Sequence, residues 1–206
     1  AGARGVGPGV GMYRRDETVA AIPGHNLPMA MVGTLILAFG WFGFNTASTL
    51  NATDGRIAIV ASNTLLSSSA GAIAALAIAW YSSRRPDIGM ACNGMLGGLV
   101  AITAPCAFVG PASAVLIGAL AGPLVFLVVT LLERRLRIDD PVGAIAVHGA
   151  CGAWGALALG LLADGSYGEG WNGVAGPVRG LLFGDARQFL AQSIGVVCNA
   201  VVVFAL

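Results

Sequence analysis

Lysine is absent from the 206 residues, and all eleven basic side chains are arginines. Charge of either sign is scarce. Charged residues make up 10% of the chain, against about 25% in ordinary soluble domains, too few to coat a surface facing water. The formal net charge of +1 provides no basic footprint for nucleic acid, which is excluded as a partner. Disorder is excluded by the 56% hydrophobic content, because unfolded segments are poor in apolar side chains. Motifs that carry chemistry are also missing: there is no phosphate-cradling Gly-x-x-x-x-Gly-Lys loop, no His-Glu-x-x-His helix and no pair of carboxylates at membrane depth. The sequence therefore encodes no ATP-driven or metal-dependent enzyme and calls for no cofactor. The four cysteines (Cys92, Cys106, Cys151 and Cys198) lie in apolar runs, without the close pairing of a zinc site, and read as buried thiols.

What is present is long apolar stretches bounded by charge. The charge-free intervals are 18–53, 57–83, 88–132, 141–163 and 188–206. A charge near the bilayer centre costs roughly 2.5–3.5 kcal/mol, and about 20 apolar residues cross a bilayer as a helix. The interval 88–132 is about twice that length, and Val109-Gly110-Pro111 near its middle predicts a fold-back. The expected architecture is an all-α integral membrane protein with six transmembrane helices, at about 27–50, 57–81, 88–109, 111–132, 142–163 and 189–206. Residues 1–26 are expected to form a cytoplasmic loop. The chain opens without Met and stops inside an apolar run at Leu206, so a piece of a longer protein is expected.

Orientation follows from the arginines. Arg4, Arg14, Arg15, Arg84, Arg85, Arg134, Arg135 and Arg137 fall on one side of the predicted spans, and Arg56, Arg179 and Arg187 on the other. The positive-inside rule places the loops around Arg14, Arg84 and Arg134 in the cytoplasm of a multi-pass cell-membrane protein. The 31 glycines include Gly118-x-x-x-Gly122 and Gly149-x-x-Gly152-x-x-Gly155, spacings that let helix backbones approach closely in lipid.

Among side chains that could act, His148 stands first. It lies eight residues beyond Asp140, which at 1.5 Å per residue places it about 12 Å into the slab. Ionisable groups at that depth commonly face a cavity and work there, although an imidazole can also simply bridge two helices. Apolar surroundings penalise the cation, so the ring is expected to be uncharged. His25, in Gly24-His25-Asn26-Leu27-Pro28, reads as a boundary residue, with Asn26 as cap and Pro28 in the first turn. Asp139-Asp140-Pro141 reads as a structural pair at a helix N-terminus. The run Gly40-Trp41-Phe42-Gly43-Phe44-Asn45-Thr46-Ala47-Ser48 near the outer end of the first span reads either as an interfacial aromatic belt or as a pore mouth. In the second reading aromatic faces attract a cation, and Asn45 and Ser48 supply polar atoms.

The stretches Gly-His-Asn-Leu-Pro (24–28), Gly-Trp-Phe-Gly-Phe-Asn (40–45), Ala-Cys-Asn-Gly (91–94), Ile-Thr-Ala-Pro-Cys-Ala (102–107) and the run from Asp139 to Gly152 resemble the ammonium transporter (Amt/Mep/Rh) family, Amt branch. The resemblance implies eleven membrane helices in two inverted five-helix repeats plus one, of which this chain would be the second repeat and most of the last helix. It implies a homotrimer with a pore through each subunit. By position in the motifs, His148 resembles the second of a twin-histidine pair, Phe44 one of two stacked gate phenylalanines, Trp41 a pore-lining tryptophan and Ser48 the hydroxyl of an external cation site. Val142 and Gly143 occupy the region where some members carry a further acidic residue, so no role for that carboxylate is inferred.

The function implied is uptake of ammonium or ammonia across the lipid bilayer, without enzymatic chemistry. Ammonium is recruited outside, loses a proton at a phenylalanine-gated pore and passes as ammonia along the histidine. The alternative is an Amt-like ammonium sensor domain fused to a signalling module; a cytoplasmic regulatory protein is a further expected partner.

Overall fold

The computed structural model describes residues 7–13, 19, 24–167 and 175–205. Arg4, Arg14, Arg15 and Leu206, which enter the orientation and span readings above, lie outside the described residues. Six long helical segments run in order: α1 (Leu27–Ala47), α2 (Ile57–Ser83), α3 (Ile88–Thr103), α4 (Pro111–Leu131), α5 (Ile145–Leu162) and α6 (Ala186–Ala205). Among the described residues the only β features are two isolated bridges, Tyr13 with Val19 and Asp164 with Arg179. Five of the helices are long and apolar enough to cross a bilayer, the fourth including its extension to Leu136. The sixth, α3, has 16 residues.

Helix ends depart from the charge-bounded expectation for local reasons. The first span stops at Ala47 rather than residue 50, because Thr49 and Leu50 donate to Thr46 and Ala47 in a closing turn and Leu50 takes a left-handed φ of 53°. The third stops at Thr103, two residues before Pro105, whose ring lacks the N–H that would continue the helix. Charged residues also sit within end turns: α4 continues as a π-turn through Leu132–Leu136, and α6 begins at Ala186 with the Asp185 carboxylate accepting from the Arg187 N–H at 2.9 Å. Gly110 starts α4 with Pro111 in the first turn, the predicted fold-back.

The buried faces of α1 and α2 are largely polar and small, although the core they pack on holds Leu99, Ile102 and Ile117, and the outer faces are apolar. In α1 the only two buried residues are Thr34 and Asn45. In α2 the buried set is Val60, Asn63, Thr64, Ser67, Ser68, Gly71, Ala75 and Ala79. Leu35, Ile36, Phe39, Ile73 and Phe204 face outward. Water would not tolerate that distribution, whereas lipid requires it.

α2, α3 and α4 form the tightest unit. At its centre Ser67 on α2 lies between Gly98 on α3 and Gly118 on α4, and a Cβ at either glycine would collide with the Ser67 backbone. Ser67 Oγ donates to the Gly98 carbonyl at 2.9 Å. Gly155 on α5 rests against the Ala101 backbone in the same way, whereas a Cβ added at Gly149 or Gly152 would make only ordinary contact, at 3.9 and 3.8 Å. The second glycine motif is thus a packing site at one end only.

Replacing Gly118 by Ala should overpack this contact and lower stability by about 1–3 kcal/mol. Gly33→Ala, whose new Cβ meets nothing within 4 Å, should leave thermal unfolding of the detergent-solubilised protein unchanged or slightly raised, since alanine suits a helix interior better than glycine. Equal midpoints for the two variants would refute the close-approach account.

Candidate functional site

α1 is started by Asn26, whose Oδ1 accepts from the Met29 N–H at 3.0 Å, with Pro28 in the first turn. His25 beside it is exposed. Trp41, Phe44 and Ser48 follow at i, i+3 and i+7, which places them on one face.

Trp41 is the centre of the site. Its ring centroid lies 6.1 Å from that of Phe44, edge to face at 64°, and 6.5 Å from that of His148, nearly parallel at 24°. The indole Nε1–H donates to Thr103 Oγ1 at 2.8 Å, and Thr103 donates to the Leu99 carbonyl at 2.7 Å. Phe44 is 60% exposed. Ser48 hydroxyl donates to the Phe44 carbonyl at 2.7 Å, which leaves its oxygen lone pairs facing outward as acceptors. Three of the four candidate residues are therefore in ring contact, with Ser48 one turn beyond Phe44.

Asn45 does not join the mouth. It is 2% exposed and its Nδ2 donates to Thr64 Oγ1 at 3.0 Å, because a residue next to Phe44 on a helix is turned by about 100° from it. Asn63, one turn along α2 from Val60, is also buried; its Nδ2 donates to the carbonyls of Cys106 and Val109 at 2.9 and 2.8 Å, holding the fold-back after α3.

His148 belongs to a π-helical turn, Ile145–Ala150, that opens α5. Such turns are uncommon and recur at functional sites. Asp140, 6% exposed, builds the N-terminus: its carboxylate accepts from the N–H groups of Ala144 (2.9 Å), Ile145 (2.8 Å) and Ala146 (3.4 Å). Gly143 takes a φ of +68°, and a Cβ there would press on the Asn93 amide. Asp139 turns the other way and accepts from the Gly9 N–H at 2.7 Å. The imidazole is exposed and borders a cavity of about 590 Å³ between α5 and α6, lined by Gly149, Gly152, Val128, Gln192 and Asn199 among others.

In the loop beyond Ser48, the Arg56 side chain donates to both Asp54 oxygens and holds that carboxyl down at about 2. The Asn51 side chain accepts from the Thr53 N–H and hydroxyl, closing the turn after Leu50. No group of His, Cys, Asp and Glu suited to a metal ion occurs among the described residues. Two features were not singled out by sequence: the π-turn, which no residue pattern signals, and Thr103, visible only as one hydroxyl within the 102–107 stretch.

The fold and site together define a polytopic α-helical membrane protein with an aromatic and histidine-lined face. The Ammonium Transporter Family profile matches residues 1–206, and the chain belongs to that family. It is 52% identical over 195 residues to ammonium transporter Amt2 of Archaeoglobus fulgidus, covering 94% of this chain and 41% of the relative. It is 34% identical to the ammonium transporter of Bacillus subtilis, covering 93% and 45%. A solved structure described as "Sensor Amt Protein" superimposes with a TM-score of 0.83 at 37% identity, covering 95% of this chain and 46% of that one. Candida albicans Mep2 superimposes at 0.78 with 26% identity, covering 88% and 39%. The chain thus spans less than half the length of these relatives.

Removing the carboxylate that gathers three N–H groups, as in Asp140→Ala, should lower stability by about 2 kcal/mol. Asp140→Asn, which keeps one acceptor, should lose about half as much. Thermal unfolding of the two variants checks this order; Asp140→Ala unfolding with its parent would refute the capping role.

Proposed function

We propose that this chain forms part of an ammonium conduit in a full-length ammonium transporter. The observation that carries the reading is the unbroken contact from Phe44 through Trp41 to His148. It joins the outer end of α1 to the opening turn of α5 along one face. Ammonium arriving outside meets the Ser48 oxygen and aromatic faces, which replace part of its hydration. Phe44 restricts access to the space beyond. Carrying an intact cation through apolar surroundings would meet the penalty that keeps charge out of membrane spans. Handing its proton to water at the outer mouth as it enters removes that penalty, because the ammonia that goes on is neutral. His148 then offers one ring nitrogen as acceptor and the other as donor, and the ring stacked on Trp41 is held for that contact. A potassium ion has no proton to release, so selection rests on acidity rather than size.

The loops around Arg14, Arg84 and Arg134 face the cytoplasm in this reading, residues 1–26 being one of them. The subunit works as a homotrimer and meets a cytoplasmic regulatory protein. The likeness to a structure described as a sensor supports a second reading, in which the same site binds ammonium for signalling. The 52% identity to Amt2 of Archaeoglobus fulgidus favours transport.

Uptake of labelled methylammonium by the full-length protein tests the reading. His148→Ala should slow uptake at least roughly tenfold, about 1.4 kcal/mol of barrier. A His148→Ala protein as fast and as selective as its parent would overturn the role assigned to the imidazole. Ammonium binding by a parent that moves no methylammonium would favour the sensor.

A further inference from the structure

We infer that Thr103 is a positioning residue of the conduit, acting through Trp41. The inference rests on the proposed conduction past Trp41 and His148. An indole can rotate about its Cβ–Cγ bond, and its contacts with Phe44 and His148 differ in kind, edge to face at 64° in one case and nearly parallel at 24° in the other. One ring orientation satisfies both. The contact that selects it is the 2.8 Å hydrogen bond from Nε1 to Thr103 Oγ1, which joins α1 to α3.

The Thr103 hydroxyl is suited to this because its own hydrogen is committed. It donates to the Leu99 carbonyl at 2.7 Å, so a lone pair rather than the hydrogen faces the indole. Two hydrogen bonds in series polarise one another. The arrangement also pairs the one polar hydrogen of Trp41, which lies at the ring edge beside the face stacked on His148. An unpaired indole N–H would seek water, and water beside the imidazole would weaken discrimination against hydrated ions. Thr103 thus turns an aromatic ring with a polar edge into an apolar wall.

The full-length parent, Thr103→Val, Thr103→Ser, Trp41→Phe and the Thr103→Val/Trp41→Phe pair, in proteoliposomes, test this. Thr103→Val keeps the side-chain shape and removes the acceptor; it should slow methylammonium uptake roughly 3–10-fold, the range expected for one hydrogen bond. Thr103→Ser should stay within about twofold of the parent. In the Trp41→Phe background Thr103→Val should cost nothing further, since its effect passes through the indole. The Trp41 contribution to the indole N–H resonance Raman band, taken as the difference from the matching Trp41→Phe background, should shift in Thr103→Val and not in Thr103→Ser. Parent-like uptake by Thr103→Val, or an equal loss with and without Trp41, would overturn the role. If Thr103→Val does not fold, Thr103→Ala takes its place in the same cycle. A parent that moves no methylammonium would defeat the transport reading instead; the Raman band then decides, and an unshifted band in Thr103→Val defeats the positioning role as well.

Discussion

Close approach of backbones at Ser67 is the contact on which the rest of the structure depends. Lipid gives no hydrophobic reward for bringing helices together, so α2, α3 and α4 must gain their attraction from dispersion over short distances and from buried hydrogen bonds. Both need small residues. Gly98 and Gly118 admit the Ser67 backbone, and the Ser67 hydroxyl reaches the Gly98 carbonyl. The inward face of α2 accordingly carries Asn63, Thr64 and Ser67, while Leu35, Ile36 and Phe39 of α1 lie outside.

α1 is joined to that unit by a different means. With only Thr34 and Asn45 buried, it lacks a packed face of its own. Two side-chain hydrogen bonds hold it, Asn45 to Thr64 on α2 and Trp41 to Thr103 on α3. Positions 41 and 45 are neighbours on a helix surface, so the two bonds grip adjacent points and fix the rotation of α1 about its axis. That rotation decides where Phe44 and Ser48 face. The polar contacts of α1 therefore set specificity of orientation more than stability, as buried hydrogen bonds between membrane helices generally add about 0.6 kcal/mol each.

Much of the fold was legible because lipid excludes charge. The charge-free intervals 18–53, 57–83, 88–132, 141–163 and 188–206, the third long enough for two spans, mark six helices whose existence and order hold. The ends were less legible, since caps rather than hydropathy decide them: Asp185 lets α6 begin before Arg187, and Gly143 with Asp140 delays α5 past residue 142. At the site, spacing alone places Trp41, Phe44 and Ser48 on one face. It does not bring His148 to them; that pairing is tertiary, and only the family resemblance pointed to it. Asn45 was misplaced at the mouth because its polarity was weighed without its helical phase. Thr103 went unnoticed because a hydroxyl at the end of a helix usually bonds its own backbone, and here it also serves another helix.

The π-turn explains why a histidine three residues from the buried Cys151 is not itself buried. In an uninterrupted α-helix, residues seven apart share a face, and His148 would lie above Gly155, against Ala101 on α3. A π-turn closes over five residues instead. It aligns Ala146 with Cys151, both 0% exposed, and the buried stripe then continues through Gly155 and Ala158 at ordinary spacing. The extra residue turns His148 and Gly149 off that stripe toward Trp41 and the cavity. Asp140 makes this affordable in hydrogen bonds by accepting from the N–H groups of residues 144 to 146, where the turn begins and no preceding helix supplies carbonyls. One helix can thereby pack tightly through Gly155 and still keep its imidazole free.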